Sequence, residues 1–214
     1  MTFATDRDLL ATEPNVFRDL PMLSQQRLSV SDGVVSGVTL TSAAADFETA
    51  QVDAGCVLLL DGVAVEVSQR IDANTLAISM LRHSTDALPI PPGDRSGAEV
   101  LARTFEPQIE RLHRELLECI GIATGDETRR TTWTVDMIVS KDRMAELETL
   151  GTLSRIYVMA QAMTGDNGPL RERANHYQRE YDQLRQCTHI RIDPGGDGLA
   201  DVTVPLGRVR LRRV

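Results

Sequence analysis

Between positions 83 and 98 the chain places Pro89, Pro91, Pro92, Gly93 and Gly97, a density that neither a strand nor a helix can run through. The hydrophobic period differs on the two sides of this break, and that change constrains the fold more than any other feature. Before it, Val63, Val65 and Val67 alternate with Ala64, Glu66 and Ser68, and Leu76, Ile78 and Met80 repeat the period of two. After it, Phe105, Ile109, Leu112, Leu116 and Ile120 fall at steps of four, three, four and four, the spacing of a helix with one apolar face.

Turn pairs at Asp32-Gly33, Ser36-Gly37, Ala54-Gly55 and Asp61-Gly62 cut residues 28–82 into four to six short strands. A flat sheet of that size would expose its edges, so a small barrel or curled sheet is predicted. Val57-Leu58-Leu59-Leu60 reads as a strand buried on both faces. Thr5, followed by Asp6 and Asp8 ahead of Leu9 and Leu10, caps a short N-terminal helix. Ser140 caps a longer helix with a stripe of Met144, Leu147, Leu150, Leu153, Tyr157 and Ala160. Pro169 opens the next, with Leu170, Ala174, Tyr177, Tyr181 and Leu184 on one face. The predicted class is α+β: a helical bundle with an inserted small β-barrel-like module and an extended C-terminal arm. Residues 1–27 are short helices joining the bundle, 28–82 the β module, 83–98 a linker, 99–187 the bundle, and 188–214 a β-hairpin or extended arm.

The 214 residues include 31 acidic and 23 basic side chains, a net charge of −8, which argues against sequence-independent grip on nucleic acid. Only 4% are aromatic, so a stacking platform for bases or sugars is not expected. Cys56, Cys119 and Cys187 are odd in number and lack metal spacing, which fits unpaired thiols acting as small packing residues in a reducing cytoplasm. No run of 18 apolar residues occurs, and the opening residues lack a signal-peptide core, so no membrane partner is expected.

Few motifs point to chemistry. Asp193, Asp197 and Asp201, with Gly198 after the second, place carboxylates at positions 1, 5 and 9 and glycine at 6 of a calcium-like loop. Position 3 is Gly195 and position 12 is Val204, so two ligands are missing, and a plain Asp-Gly turn outweighs calcium binding. His83, His113, His176 and His189 form no metal pair and each reads as solvated or as a satisfied packing residue, with Glu110 or Glu115 beside His113 read as helix surface. No nucleophile elbow and no phosphate-binding glycine loop is present, so no enzyme activity and no cofactor is expected. Tyr177 and Tyr181 read as core. At the end of the chain, Arg208, Arg210, Arg212 and Arg213 alternate with Val209 and Leu211 before Val214, so an extended arm would have a cationic and an apolar edge. Such an arm suits docking on a partner.

The order of these parts resembles the head-to-tail adaptor (connector) proteins of tailed bacteriophages and related gene-transfer particles. The resemblance is carried by Thr5-Asp6-Arg7-Asp8-Leu9-Leu10, by Glu13-Pro14-Asn15-Val16-Phe17, and by the β segment from Gly33 to Leu40 and Val52 to Gly55. The Asp197-Gly-Leu-Ala-Asp201 turn and the Arg-rich end also fit. It implies a structural virion protein of the phage neck, assembled in the host cytoplasm. Copies would form an adaptor ring, commonly twelvefold, between the portal protein and a tail or stopper protein. DNA would be met only in passage during genome ejection, and residues 208–214 would contact the portal. An acidic ring would let DNA slide without sticking. A stopper or terminator of the same neck, and a calcium-dependent binding module, are the alternatives.

Overall fold

A computed structural model describes residues 2–122, 133–165 and 168–207. The chain divides into two compact units, a barrel unit of Thr5–Glu106 and a helical unit of Met1–Ala4 with Pro107–Val214. This corrects the predicted class: the β part is no small insertion in a bundle but a closed six-stranded antiparallel barrel, accompanied among the described residues by five α-helices.

The barrel is built from β1 (Gln25–Ser36), β2 (Thr39–Thr41), β3 (Val57–Leu60), β4 (Val63–Arg70), β5 (Thr75–Ser79) and β6 (Arg95–Thr104). Their spatial order is β1-β2-β5-β4-β3-β6, and β6 returns to pair with β1. The closing strand is the main surprise. Residues 95–104 fall in the expected linker and the start of the expected helices, yet they pair with both β1 and β3. The Asp61-Gly62 turn has φ of 49° and 80°, the two left-handed residues that a tight hairpin twisting with its strands requires. Gly33 sits at a register shift between β1 and β6, where a Cβ would stand 2.5 Å from Val100 Cγ2, so only glycine lets the strands approach.

Alternation sends Leu58, Leu60, Val65, Val67, Leu76, Ile78, Val100 and Ala102 into the barrel core, where Phe47 and Val52 from the long β2–β3 connection join them. Val57 and Leu59 point the other way and are also buried, because helix α1 (Asp6–Thr12) packs on β3. Helix α2 (Val16–Asp19) adds Phe17, whose ring meets Phe105 at 5.1 Å.

In the helical unit, α3 (Glu106–Ile120), α4 (Lys141–Thr164) and α5 (Pro169–Cys187) bury the apolar stripes their spacing announced, and β7 (His189–Ile192) pairs antiparallel with β8 (Val202–Pro205). One core joins Leu112, Leu116 and Ile120 to Met144, Leu147, Tyr181, Ile190, Ile192 and Val204. The helices meet closely at Gly151, where a Cβ would lie 2.5 Å from Leu112 Cδ2 and 2.9 Å from Tyr181 Cε2.

Candidate functional site

The barrel unit holds a buried ionic node. Glu66 on β4 has no solvent exposure, and its two carboxylate oxygens accept from Arg7 Nε and Arg82 Nε. Arg7 Nη2 donates to Arg82 O at 2.8 Å, and Arg82 Nη1 donates to Thr85 O and Ala87 O, each at 2.9 Å. Two cations around one anion in a desolvated site persist only when nearly every donor is engaged, and here the spare guanidinium donors fix the loop after Arg82. The loop's far end is fixed too: Ile90 N donates to Ser79 Oγ at 2.7 Å and Met80 N to Ile90 O at 2.8 Å.

A second buried carboxylate, Asp6, sits at the start of α1. It accepts Phe105 N at 2.8 Å, so it joins the two places where the chain leaves the barrel unit, after Ala4 and after Glu106. Burial raises its carboxyl to about 6, with partial relief from the Thr104 hydroxyl, the Phe105 amide and the charge of Arg27.

In the helical unit Glu148 plays the corresponding part. One of its oxygens accepts Phe3 N at 2.9 Å and Ala4 N at 2.7 Å, and the other meets His113 Nδ1 at 2.6 Å. His113 is therefore a satisfied, buried packing residue, one of the two readings open to it, and its partner is Glu148 in place of Glu110 or Glu115. The pairing spans 35 positions, which no local pattern announces. Glu115 instead binds Arg155, which holds its carboxyl below the usual range. That pair lines a groove of about 580 Å³ with Gly151, Tyr181, Asp182 and Arg185. The groove's guanidiniums already have partners, since Arg185 Nη2 reaches Cys119 Sγ at 3.5 Å. Tyr181, pushed up by burial, packs as core, and Tyr177 stacks on Tyr157 with ring centres 5.7 Å apart.

The calcium-like loop is a self-closed turn. Asp193 is buried, and its Oδ1 and Oδ2 accept the amides of Gly196 and Gly198, both at 2.7 Å. Asp197 accepts Leu199 N at 2.9 Å, while Asp201 N donates to Ile192 O at 3.1 Å. These bonds explain the carboxylates by turn chemistry, and among the described residues no group of three potential metal ligands occurs. The arm residues Arg208, Val209, Arg210, Leu211, Arg212, Arg213 and Val214 lie outside the described residues. Cys119 and Cys187 are exposed, not packed inside as expected, because each falls on the polar side of its helix, and Cys56 is half-buried. No described helix is long and apolar enough to cross a membrane.

The charge is unequally shared. The barrel unit carries 15 acidic against 7 basic residues and so holds the whole net −8, while the remainder of the chain has 16 of each. Comparison of the chain with protein-family models, with curated proteins and with solved structures finds no match.

Proposed function

We propose that this chain is a structural protein of a phage-type neck, an adaptor whose copies associate side by side into a ring, twelvefold by the family's habit, between portal and tail. The observation that carries the reading is how the polar groups are used. Among the described residues the carboxylates of Glu66, Glu148, Asp6 and Asp193, four of the five that are buried, are each bonded to the protein's own backbone or cations. Side chains used in this way build a rigid part. The resemblance of the N-terminal and β segments to head-to-tail adaptors supplies the particular assembly, and the barrel unit's −8 suits a wall past which DNA slides. Residues 208–214, with four arginines, serve as the contact to the portal protein.

The test is native mass spectrometry and electron microscopy of the purified protein, alone and with the portal protein of the same particle. A ring of defined copy number that binds the portal is the expected outcome; a monomer indifferent to the portal overturns the reading. Truncation after Gly207 is the matching arm test, because Leu206 is buried and an earlier cut would remove core. The shortened chain should fold and fail to bind the portal.

A second reading is favoured by one observation. The closed barrel, half of the chain, is not the small insertion expected in the order of parts that carried the adaptor resemblance, and a stopper or terminator of the same neck is the second reading. The axial position of the protein in a particle reconstruction separates the two.

A further inference from the structure

Single apolar side chains scattered over a surface need no explanation, but two exposed groups in this chain are organised. The first is the loop after Arg82. Leu88 is 88% exposed at its tip, between Ala87 and Pro89, and Ile90 is 48% exposed between Pro89 and Pro91. The loop is held from beneath by the buried Arg82 guanidinium on Thr85 O and Ala87 O, and at its end by the Met80–Ile90 bridge. A side chain displayed on so fixed a backbone loses little freedom when it is bound.

The second group lies on the last turns of α4. Val158 and Ala162 are four residues apart, as are Met159 and Met163, so they form one face, with Val158 51% and Met163 62% exposed. The methionines make this face adaptable to an inserted side chain. The two groups also differ in electrical setting. Leu88 belongs to the unit of net −8, whereas residues 168–179, in the first turns of α5, carry Arg171, Arg173 and Arg179 against Glu172.

We infer that Leu88 and Ile90 of one copy insert against Val158, Met159 and Met163 of a second copy of this chain. Each copy bears one of each patch, so the contact is heterologous and repeats from copy to copy, the kind of contact a ring requires. It rests on the ring reading above and names the surfaces that form it. Attraction between the acidic barrel unit and the arginines in the first turns of α5 orients the approach, so association weakens in high salt.

The experiment is sedimentation of the full chain across a concentration series, for the wild type, Leu88→Asp and Met163→Asp. Both side chains face solvent, so both variants should keep the wild-type circular dichroism and melting temperature. Each should raise the midpoint concentration for self-association by roughly thirty-fold or more, as loss of a central contact does. If the wild type assembles and both variants assemble equally well, this contact is wrong while the ring stands. A wild type that stays monomeric up to about 200 μM, an association weaker than about −5 kcal/mol, overturns this contact, while the ring is decided by the portal experiment above.

Discussion

The barrel unit and the helical unit each bury one glutamate completely, and they use it in opposite ways. Glu66 is locked between two guanidiniums, so the barrel's outer wall is held by charge. Glu148 binds two backbone amides and a histidine, so the helical unit ties down residues 3 and 4 without a permanent cation. The surface reverses the contrast. In the barrel unit Asp8, Asp32, Asp46, Asp53, Asp61, Asp72 and Asp94 each accept a backbone amide at a turn or a helix start. In the helical unit Glu115 and Glu146 face arginines. A six-stranded barrel has many turns, each with amides to satisfy, and aspartate satisfies them at the expense of net charge. Much of the −8 therefore follows from architecture, and its value to a DNA channel would be a use made of a charge already there.

The sharpest way to break this contrast is Glu66→Ala, which leaves Arg7 and Arg82 buried without their anion. We expect a loss of about 3–5 kcal/mol from the barrel unit, seen as lost hydrogen-exchange protection on β4 and the 82–90 loop. Protection in α4 and α5 should persist. Equal loss in both units would show that the division between them carries no energetic meaning.

Asp6 gives the next largest effect, and its sign is unusual. Its carboxyl is raised to about 6 from 3.8, so the folded state holds a proton that the unfolded chain has released. Stability from this group is full below 3.8 and is lost as pH rises through 6. Asp6→Asn should remove that slope and stabilise the barrel unit at pH 7 by up to about 3 kcal/mol, since each pKa unit corresponds to about 1.4 kcal/mol. Urea midpoints for the two proteins that stay parallel from pH 4 to pH 7 would refute the assignment. For the helical unit, held by packing, the probe is Gly151→Ala. Its methyl would crowd Leu112 and Tyr181 and should cost about 1–3 kcal/mol by the same measurement.

How far these features could be read from the residues depended on range. Alternation in β4, the Asp61-Gly62 turn and the stripes of α3, α4 and α5 are local, and they were readable. The strand β6 was not, because Ala98, Glu99, Leu101, Ala102 and Arg103 are good helix formers with only Val100 favouring a strand, and pairing with β1 and β3 overrides that preference. Glu66 reads as the outward polar residue of an alternating strand. Its burial depends on Arg7, 59 positions earlier, and Arg82, 16 later. Asp193 announced itself as special, and the structure assigns it to turn closure. Leu88 and Ile90 stood in a proline-rich stretch that reads as a linker, and the signal present was two large apolar residues where a linker needs none.

The smallest expected effect concerns the turn clamps, and it sets them against Asp6. Hydrogen bonds from the Ser42 hydroxyl and the Ala44 amide hold the Asp32 carboxyl below its ordinary value, and those from the Thr49 hydroxyl and amide do the same for Asp46. Their stabilisation is present above 3.8 and is lost as pH falls through the folded values, the reverse of Asp6. The barrel unit should therefore be most stable in mild acid, between the loss of the clamps below and the ionisation of Asp6 above. Hydrogen exchange at the Ala44 and Thr49 amides, followed from pH 6 to pH 3 and corrected for intrinsic rates, should show protection falling only at the acid end. Asp32→Asn and Asp46→Asn, whose side-chain oxygens accept without titrating, should make that profile flat. If protection at these amides falls with acid as steeply in the variants, the turns are opened by another group and the clamps are not what holds them.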